Sequence, residues 1–221
     1  MNQAEFNALK NQLNEQQTTL VAVSKTKPIE AIQTLYHWGQ RDFGENKVQE
    51  MCDKQAQLPT DIRWHQIGHL QSNKVKYIAP FVALIHSVDS LKLMQEINRQ
   101  AEKCHRVIPV LLQLHIATEE TKFGLNNKEL IELIEYYLNG SFPHVEIHGL
   151  MGMASLTENE AQVKQEFTAL HELFRFCKSG YFLNRPEFNT LSMGMSGDYE
   201  MAIVCGSNMV RIGSLLFGHR N

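Results

Sequence analysis

Apolar positions along this chain recur at two spacings. In residues 3–17, Phe6, Leu9 and Leu13 fall three and four apart, the period of a helix with one buried face. Residues 19–23 then form a short apolar run of β-forming residues. From there, such runs alternate with amphipathic stretches to the end of the chain. The pattern predicts strands over 19–23, 41–43, 63–67, 83–86, 108–114, 146–149, 189–193 and 209–212. Between them it predicts helices over 28–38, 47–57, 90–103, 127–139 and 158–178. Pro28 suits a first helical turn, and Asp89 or Ser90 stands where a cap is needed. Thr157 with Glu160 spells a capping box. Gly39 and Gly140 are natural stops.

Strand, helix, strand repeated in this way builds parallel strands with helices outside. Eight strands is the number that closes a (β/α)8 barrel, the TIM-barrel architecture. The expected fold is therefore α/β, a (β/α)8 barrel with an extra N-terminal helix; an open doubly wound sheet is the second architecture. No linker or change of composition divides the chain, and the polar loop 183–187 is too short to do so. One domain over 1–221 is expected.

Composition narrows the function classes. The 221 residues are 43% hydrophobic and 20% charged with a net charge of −3, and no run of Lys and Arg marks a nucleic-acid footprint. The start, Met1 to Phe6, has neither a basic segment nor a long apolar one, and no apolar run is long enough for a bilayer. A cytoplasmic protein with no membrane partner is expected. Cys52, Cys104, Cys177 and Cys205 are scattered and form no Cys-x-x-Cys pair. His65 and His69 stand four apart, but Ile67-Gly68 between them reads as strand then turn, so no metal site is expected.

The chemistry centres on Leu20-Val21-Ala22-Val23-Ser24-Lys25-Thr26-Lys27-Pro28, where an apolar strand ends in a lysine. Ligands of parallel α/β proteins bind at the carboxyl ends of the strands. An amine with apolar walls loses solvation and becomes a nucleophile toward an aldehyde. Other polar residues gather at the same ends: Asn46 after the second strand, Ser192 with Ser196 following the seventh, and Arg211, Gly213 and Ser214 finishing the eighth. Barrels often bind phosphate on the loops after strands seven and eight, at a short helix N-terminus. Ser192, Ser196 and Ser214 offer hydroxyls there, and Gly213 allows close backbone approach. Each residue also has a plain structural reading. Lys25 could be a surface lysine, Asn46 a helix cap, Gly68 and Gly149 turn glycines, and Arg211 the partner of a buried carboxylate. Met151, Met153, Met193 and Met195 read as packing. Ser24-Lys25-Thr26-Lys27 fits the serine–lysine pattern of β-lactamases, but a strand precedes it where that motif opens a helix.

Five separated motifs, in order, resemble the pyridoxal-phosphate homeostasis protein family, the YggS-like proteins. They are Phe43-Gly44-Glu45-Asn46-Lys47, Trp64-His65-Gln66-Ile67-Gly68-His69, His148-Gly149-Leu150-Met151-Gly152-Met153, Leu191-Ser192-Met193-Gly194-Met195-Ser196-Gly197-Asp198, and Gly206-Ser207-Asn208-Met209-Val210-Arg211-Ile212-Gly213. The resemblance implies a barrel like the N-terminal domain of alanine racemase, holding pyridoxal 5'-phosphate (PLP) as an aldimine on Lys25. It implies that Arg211 faces the pyridine nitrogen, and it matches Lys122 to a lysine at the cofactor entrance. The favoured role is non-catalytic: PLP and amino-acid homeostasis, in which the protein stores the cofactor or hands it to PLP-dependent apo-enzymes; without a second domain, a monomer is expected. Racemase-like catalysis is the enzyme alternative. It needs two bases, one of them from an added domain, and this sequence ends at Asn221 where such a domain would begin. A regulatory protein that has lost PLP is a third class, against which Lys25 and Arg211 argue. Asn208 and the stretch Met153-Ala154-Ser155-Leu156 depart from the family's usual pattern and are expected to alter loops near the cofactor.

Overall fold

Eight parallel strands run in chain order round a closed barrel in the computed structural model, which describes residues 1–118, 123–140 and 142–218. They are β1 (Thr19–Val23), β2 (Asp42–Glu45), β3 (Arg63–Gln66), β4 (Leu84–Val88), β5 (Ile108–Leu114), β6 (Val145–Gly152), β7 (Thr190–Ser192) and β8 (Met209–Ile212). β8 pairs back onto β1, with Val21 beside Arg211. Helices on the outside are α1 (Gln3–Glu15), α2 (Ile29–His37), α3 (Val48–Gln55), α4 (Val75–Ile78), α5 (Leu91–Lys103), α6 (Asn127–Leu138), α7 (Glu160–Gly180), α8 (Tyr199–Val204) and α9 (Ser214–Phe217). The expected TIM barrel with an extra N-terminal helix is what forms. None of the described helices is long and apolar enough to cross a membrane.

Strand periodicity explains the interior. Side chains alternate across a strand, so Leu20 and Ala22 face the helices while Val21 faces inward. The inner apolar set is Val21, Leu84, Leu111, Met151 and Met209. Trp64 and Phe43 pack outward against each other beneath the helices, with ring centroids 6.1 Å apart. The barrel is thus filled by side chains rather than open as a pore. Gly44 faces inward; a Cβ there would stand 3.0 Å from both Ile67 Cδ1 and Val21 Cγ1.

Several boundaries move for local reasons. β6 runs from Val145 to Gly152, longer than expected, because a register shift lets Gly149 rather than His148 pair with Leu111. Gly149 is therefore a bulge glycine and not a turn glycine. Its φ is +151°, and a Cβ would lie 1.8 Å from the Thr190 carbonyl oxygen. Pro28 is the N-cap of α2, one position before the first turn. Ser90 caps α5 by accepting from the Leu93 N–H. The Thr157–Glu160 capping box does not form: Asn159 is the N-cap of α7 and accepts from the Gln162 N–H. Gly39 and Gly140 end their helices with φ of +92° and +86°, as expected. The short helices α4, α8 and α9 lack two turns over which a period could register.

Candidate functional site

The C-terminal ends of the strands surround a cavity of about 490 Å³, within the range of small-molecule sites. Val23, Ile67, Phe123, Met153 and Met195 give it apolar walls, and Lys25, Asn46, Ser196, Arg211, Gly213 and Ser214 bring polar groups to it. Six of the seven expected binding residues therefore share one cavity. Met153 and Met195 line it, whereas Met151 and Met193 are buried packing.

Lys25 sits two residues past β1, half-buried, in a turn held from below. Thr26 adopts φ +63°, a left-handed conformation that a β-branched residue keeps only under outside constraint. That constraint comes from α3. Lys54 Nζ donates to the Ser24 carbonyl (2.8 Å), to Glu45 Oε1 (2.7 Å) and to Glu50 Oε1 (2.7 Å). Ser24 Oγ also donates to Glu45 Oε1, at 2.6 Å, and the Thr26 N–H donates to Glu50. The Lys54 and Glu45 side chains are 7% and 0% exposed. Burial pushes the Glu45 carboxyl above the usual range, opposed by the hydrogen bonds from Lys54 and Ser24.

Asn46 follows β2 and is not a helix cap, since α3 starts from Lys47 and has no side-chain cap bond. Gln66 Nε2 donates to the carbonyls of Asn46 and Gly68, both at 3.0 Å, and ties the β2 and β3 loops together. Gly68 is required for that approach: a Cβ would lie 2.7 Å from Asn46 Cα.

On the opposite wall, Ser196 Oγ accepts the Gly213 N–H at 3.1 Å and the Leu215 N–H at 3.4 Å, where α9 begins. The loop carrying Ser196 is fixed by Asp198, which accepts the Met195 N–H, and by the Arg211 N–H, which donates to the Gly194 carbonyl. Backbone donors, two serine hydroxyls and a glycine thus meet in one corner of the cavity, the kind of donor set that suits an anion. Lys27 Nζ donates to the carbonyls of Phe217 and Gly218 at the far end of α9.

Arg211 reaches the cavity from the barrel interior. Its partners are not a carboxylate: Nη1 donates to Ser192 Oγ at 2.6 Å and Nη2 to the Gly152 carbonyl at 3.0 Å. Burial lowers its pKa to about 10, against the pull of Asp198, so it keeps its proton at neutral pH. Ser192, the seventh expected residue, is fully buried inside the barrel and does not line the cavity. Its hydroxyl serves Arg211, because an inward position on β7 points below the mouth.

The expected role of Lys122 lies outside the described residues. Beside it, Phe123 stacks on His69 with ring centroids 4.0 Å apart, and Gln113 Nε2 donates to the Phe123 carbonyl. His69 Nδ1 lies 3.2 Å from Asp89 Oδ2. His65 and His69 part company: His65 lies in the interior and His69 at the mouth. Asn208 is also distant from the cavity. It precedes β8 and links β7 to β8 through the Leu191 N–H and the Asn189 carbonyl, so it alters no cofactor loop. Sequence reasoning missed the Lys54–Glu45–Glu50 brace, Gln66 and the His69–Phe123 wall. A charged Glu45 inside a buried strand was the available signal.

Residues 3–221 match the family described as "Alanine racemase, N-terminal domain". The Pyridoxal phosphate homeostasis protein of Aquifex aeolicus is 44% identical over 202 residues, covering 91% of this chain and 86% of that protein. PipY of Synechococcus elongatus, solved without PLP, superposes with a TM-score of 0.90 at 33% identity, covering 98% of this chain and 99% of the other. The same protein with PLP bound superposes with a TM-score of 0.87 at 34% identity and the same coverage. By sequence over nearly its whole length and by the arrangement of its barrel, this chain belongs to the pyridoxal phosphate homeostasis protein family, within the alanine racemase N-terminal domain fold.

Proposed function

We propose that this chain binds PLP in the cavity at the barrel mouth, attached covalently through Lys25, and acts as a non-catalytic cytoplasmic carrier in PLP homeostasis. One observation carries the reading: a strand-end lysine, a buried arginine and a backbone-and-serine anion corner converge on one cavity of about 490 Å³. The residues fit the three parts of the molecule. Lys25 would hold the aldehyde end through its amine, with one water expelled on attachment. The Gly213 and Leu215 N–H groups, with Ser196 and Ser214, suit the phosphate. Gly213 leaves little room for a side chain, since a Cβ would lie 3.3 Å from Val23 Cβ. Asn46 completes the polar wall, and Ser192 contributes by holding Arg211. PLP bound to PipY supports the assignment.

When bound, the cofactor's ring and aldehyde supply an electron sink for amino-acid chemistry. Arg211 works against that use: a guanidinium that keeps its proton offers a donor to the pyridine nitrogen and leaves that nitrogen unprotonated. Among the described residues lining the cavity, Lys27 is tied to the α9 carbonyls, so it is poorly placed as a second base. His69 beside Asp89, also lining the cavity, favours the racemase-like alternative. The experiment sets transfer against turnover. The PLP-loaded monomer should activate added PLP-dependent apo-enzymes as its chromophore declines. Solvent-deuterium exchange at the α-carbon of alanine or serine should stay near the rate of free PLP. Rapid exchange that Lys25→Ala abolishes would make the enzyme reading the right one.

A further inference from the structure

A chain of hydrogen bonds crosses the barrel interior from its N-terminal end to the cavity. Arg63 and His65 Nε2 both reach Asp42, His65 at 3.1 Å. His65 Nδ1 lies 2.9 Å from His86 Nε2, and His86 Nδ1 lies 3.2 Å from Ser192 Oγ. Ser192 Oγ accepts from Arg211 Nη1 at 2.6 Å. His86 and Ser192 are fully buried, and His65 is nearly so. Five strands contribute Asp42, His65, His86, Ser192 and Arg211 at inward positions that interior barrel packing normally gives to branched apolar residues.

We propose that Asp42, His65, His86 and Ser192 form a one-directional hydrogen-bond relay that positions the Arg211 guanidinium for the cofactor ring. The proposal rests on the PLP reading only in naming what Arg211 faces; the relay belongs to the protein itself.

Its direction follows from the chemistry of the two ends. Burial tends to raise the Asp42 carboxyl, but hydrogen bonds and charge from His65 and Arg63 outweigh it and hold the pKa at about 2. Asp42 is therefore an acceptor, and His65 Nε2 carries a proton. Burial, with the nearby His65 and Arg211, holds His86 well below the usual imidazole range, so it is neutral. With the His65 proton on Nε2, its Nδ1 accepts from His86 Nε2–H, and His86 Nδ1 accepts the Ser192 hydroxyl proton. The serine oxygen is then turned toward Arg211. Every proton has an acceptor in this arrangement. In the opposite one, His86 Nδ1–H and Arg211 would both donate to Ser192, and the serine proton would have no partner among the described residues. Asp42 touches neither Arg211 nor the cavity, so an effect of Asp42 on Arg211 has to travel through the two histidines.

The test uses ¹⁵N NMR of the full-length chain without cofactor. His65 and His86 should both carry a ring proton on Nε2 and none on Nδ1, and Arg211 should show restricted rotation about its Nη1 bond. Asp42→Leu should move the His86 proton to Nδ1 and free the Arg211 signal, while Asp42→Asn, which keeps an acceptor, should restore both. Should Asp42→Leu not fold, Ser192→Ala reads the same link from the other side and should free Arg211. PLP affinity should fall about tenfold in Ser192→Ala, the loss of one charged hydrogen bond, with a shifted chromophore. His86 protonated on Nδ1 in the parent, or Arg211 signals indifferent to the variants, would overturn the relay. If the parent shows the relay yet takes up no PLP, the cofactor reading fails and the relay stands.

Discussion

Replacing Lys54 with methionine removes the cation that braces the Lys25 turn while keeping the length of the side chain. Three hydrogen bonds go with it, to the Ser24 carbonyl, Glu45 and Glu50. Glu50 is 23% exposed and can turn to water, but Glu45 is fully buried, and its Oε2 has no partner among the described residues. A buried carboxylate stripped of its cation costs about 3–5 kcal/mol. Lys54 also opposes the burial that raises the Glu45 pKa, so the variant's folded-state pKa rises further. A raised folded pKa favours the protonated form in the folded state. The penalty is therefore absent below the unfolded value and grows with pH, by up to about 1.4 kcal/mol per unit, until the folded pKa is passed. Urea denaturation of the cofactor-free protein should show a loss of about 3–5 kcal/mol near pH 8 and a smaller one near pH 5. Adding Glu45→Gln should recover most of the loss near pH 8. A Lys54→Met variant within about 1 kcal/mol of the parent near pH 8, or a loss that does not shrink in acid, would refute the reasoning.

Gly149→Ala should abolish folding or cost several kcal/mol, because its Cβ overlaps the Thr190 carbonyl oxygen. Gly140→Ala, with open space but φ +86°, should cost only about 1–2 kcal/mol in thermal denaturation, and equal losses would contradict the bulge assignment. Asp42 contributes stability that is present above its unfolded pKa of about 4 and lost as pH falls toward 2, about 2 kcal/mol in all. Denaturation midpoints of the parent should therefore drop between about pH 5 and pH 3 more than those of Asp42→Asn; parallel curves would deny the shift.

Much of this was legible in the sequence. β1, β5 and β8 were predicted to the residue because a short, mostly apolar run of β-forming residues has one plausible use in a parallel barrel. β2 was harder: Asp42, Gly44 and Glu45 are polar or small, so no apolar run marks the strand that carries Glu45. Lys25, Arg211 and Ser196 stood out because strand ends define the mouth of a barrel. Ser192 was misplaced by a single layer, since its place relative to Arg211 depends on how far β7 and β8 overlap. Lys54 reads as an ordinary helix lysine four residues from Glu50. Its burial depends on Glu45 at the end of the preceding strand and on the Ser24 carbonyl at the end of β1, and neither spacing is a helical period. His65 and His86 are similarly silent, because inward positions on neighbouring strands meet only once the barrel closes.

Covalent attachment through Lys25 is the central claim, and borohydride trapping tests it most directly. The full-length protein is loaded with PLP, reduced, digested and mapped by mass spectrometry. A visible chromophore that reduction bleaches is expected, with one pyridoxyl group on the peptide carrying Lys25 and none in Lys25→Ala. A pyridoxyl group on another lysine, or no chromophore after PLP is added, would contradict it.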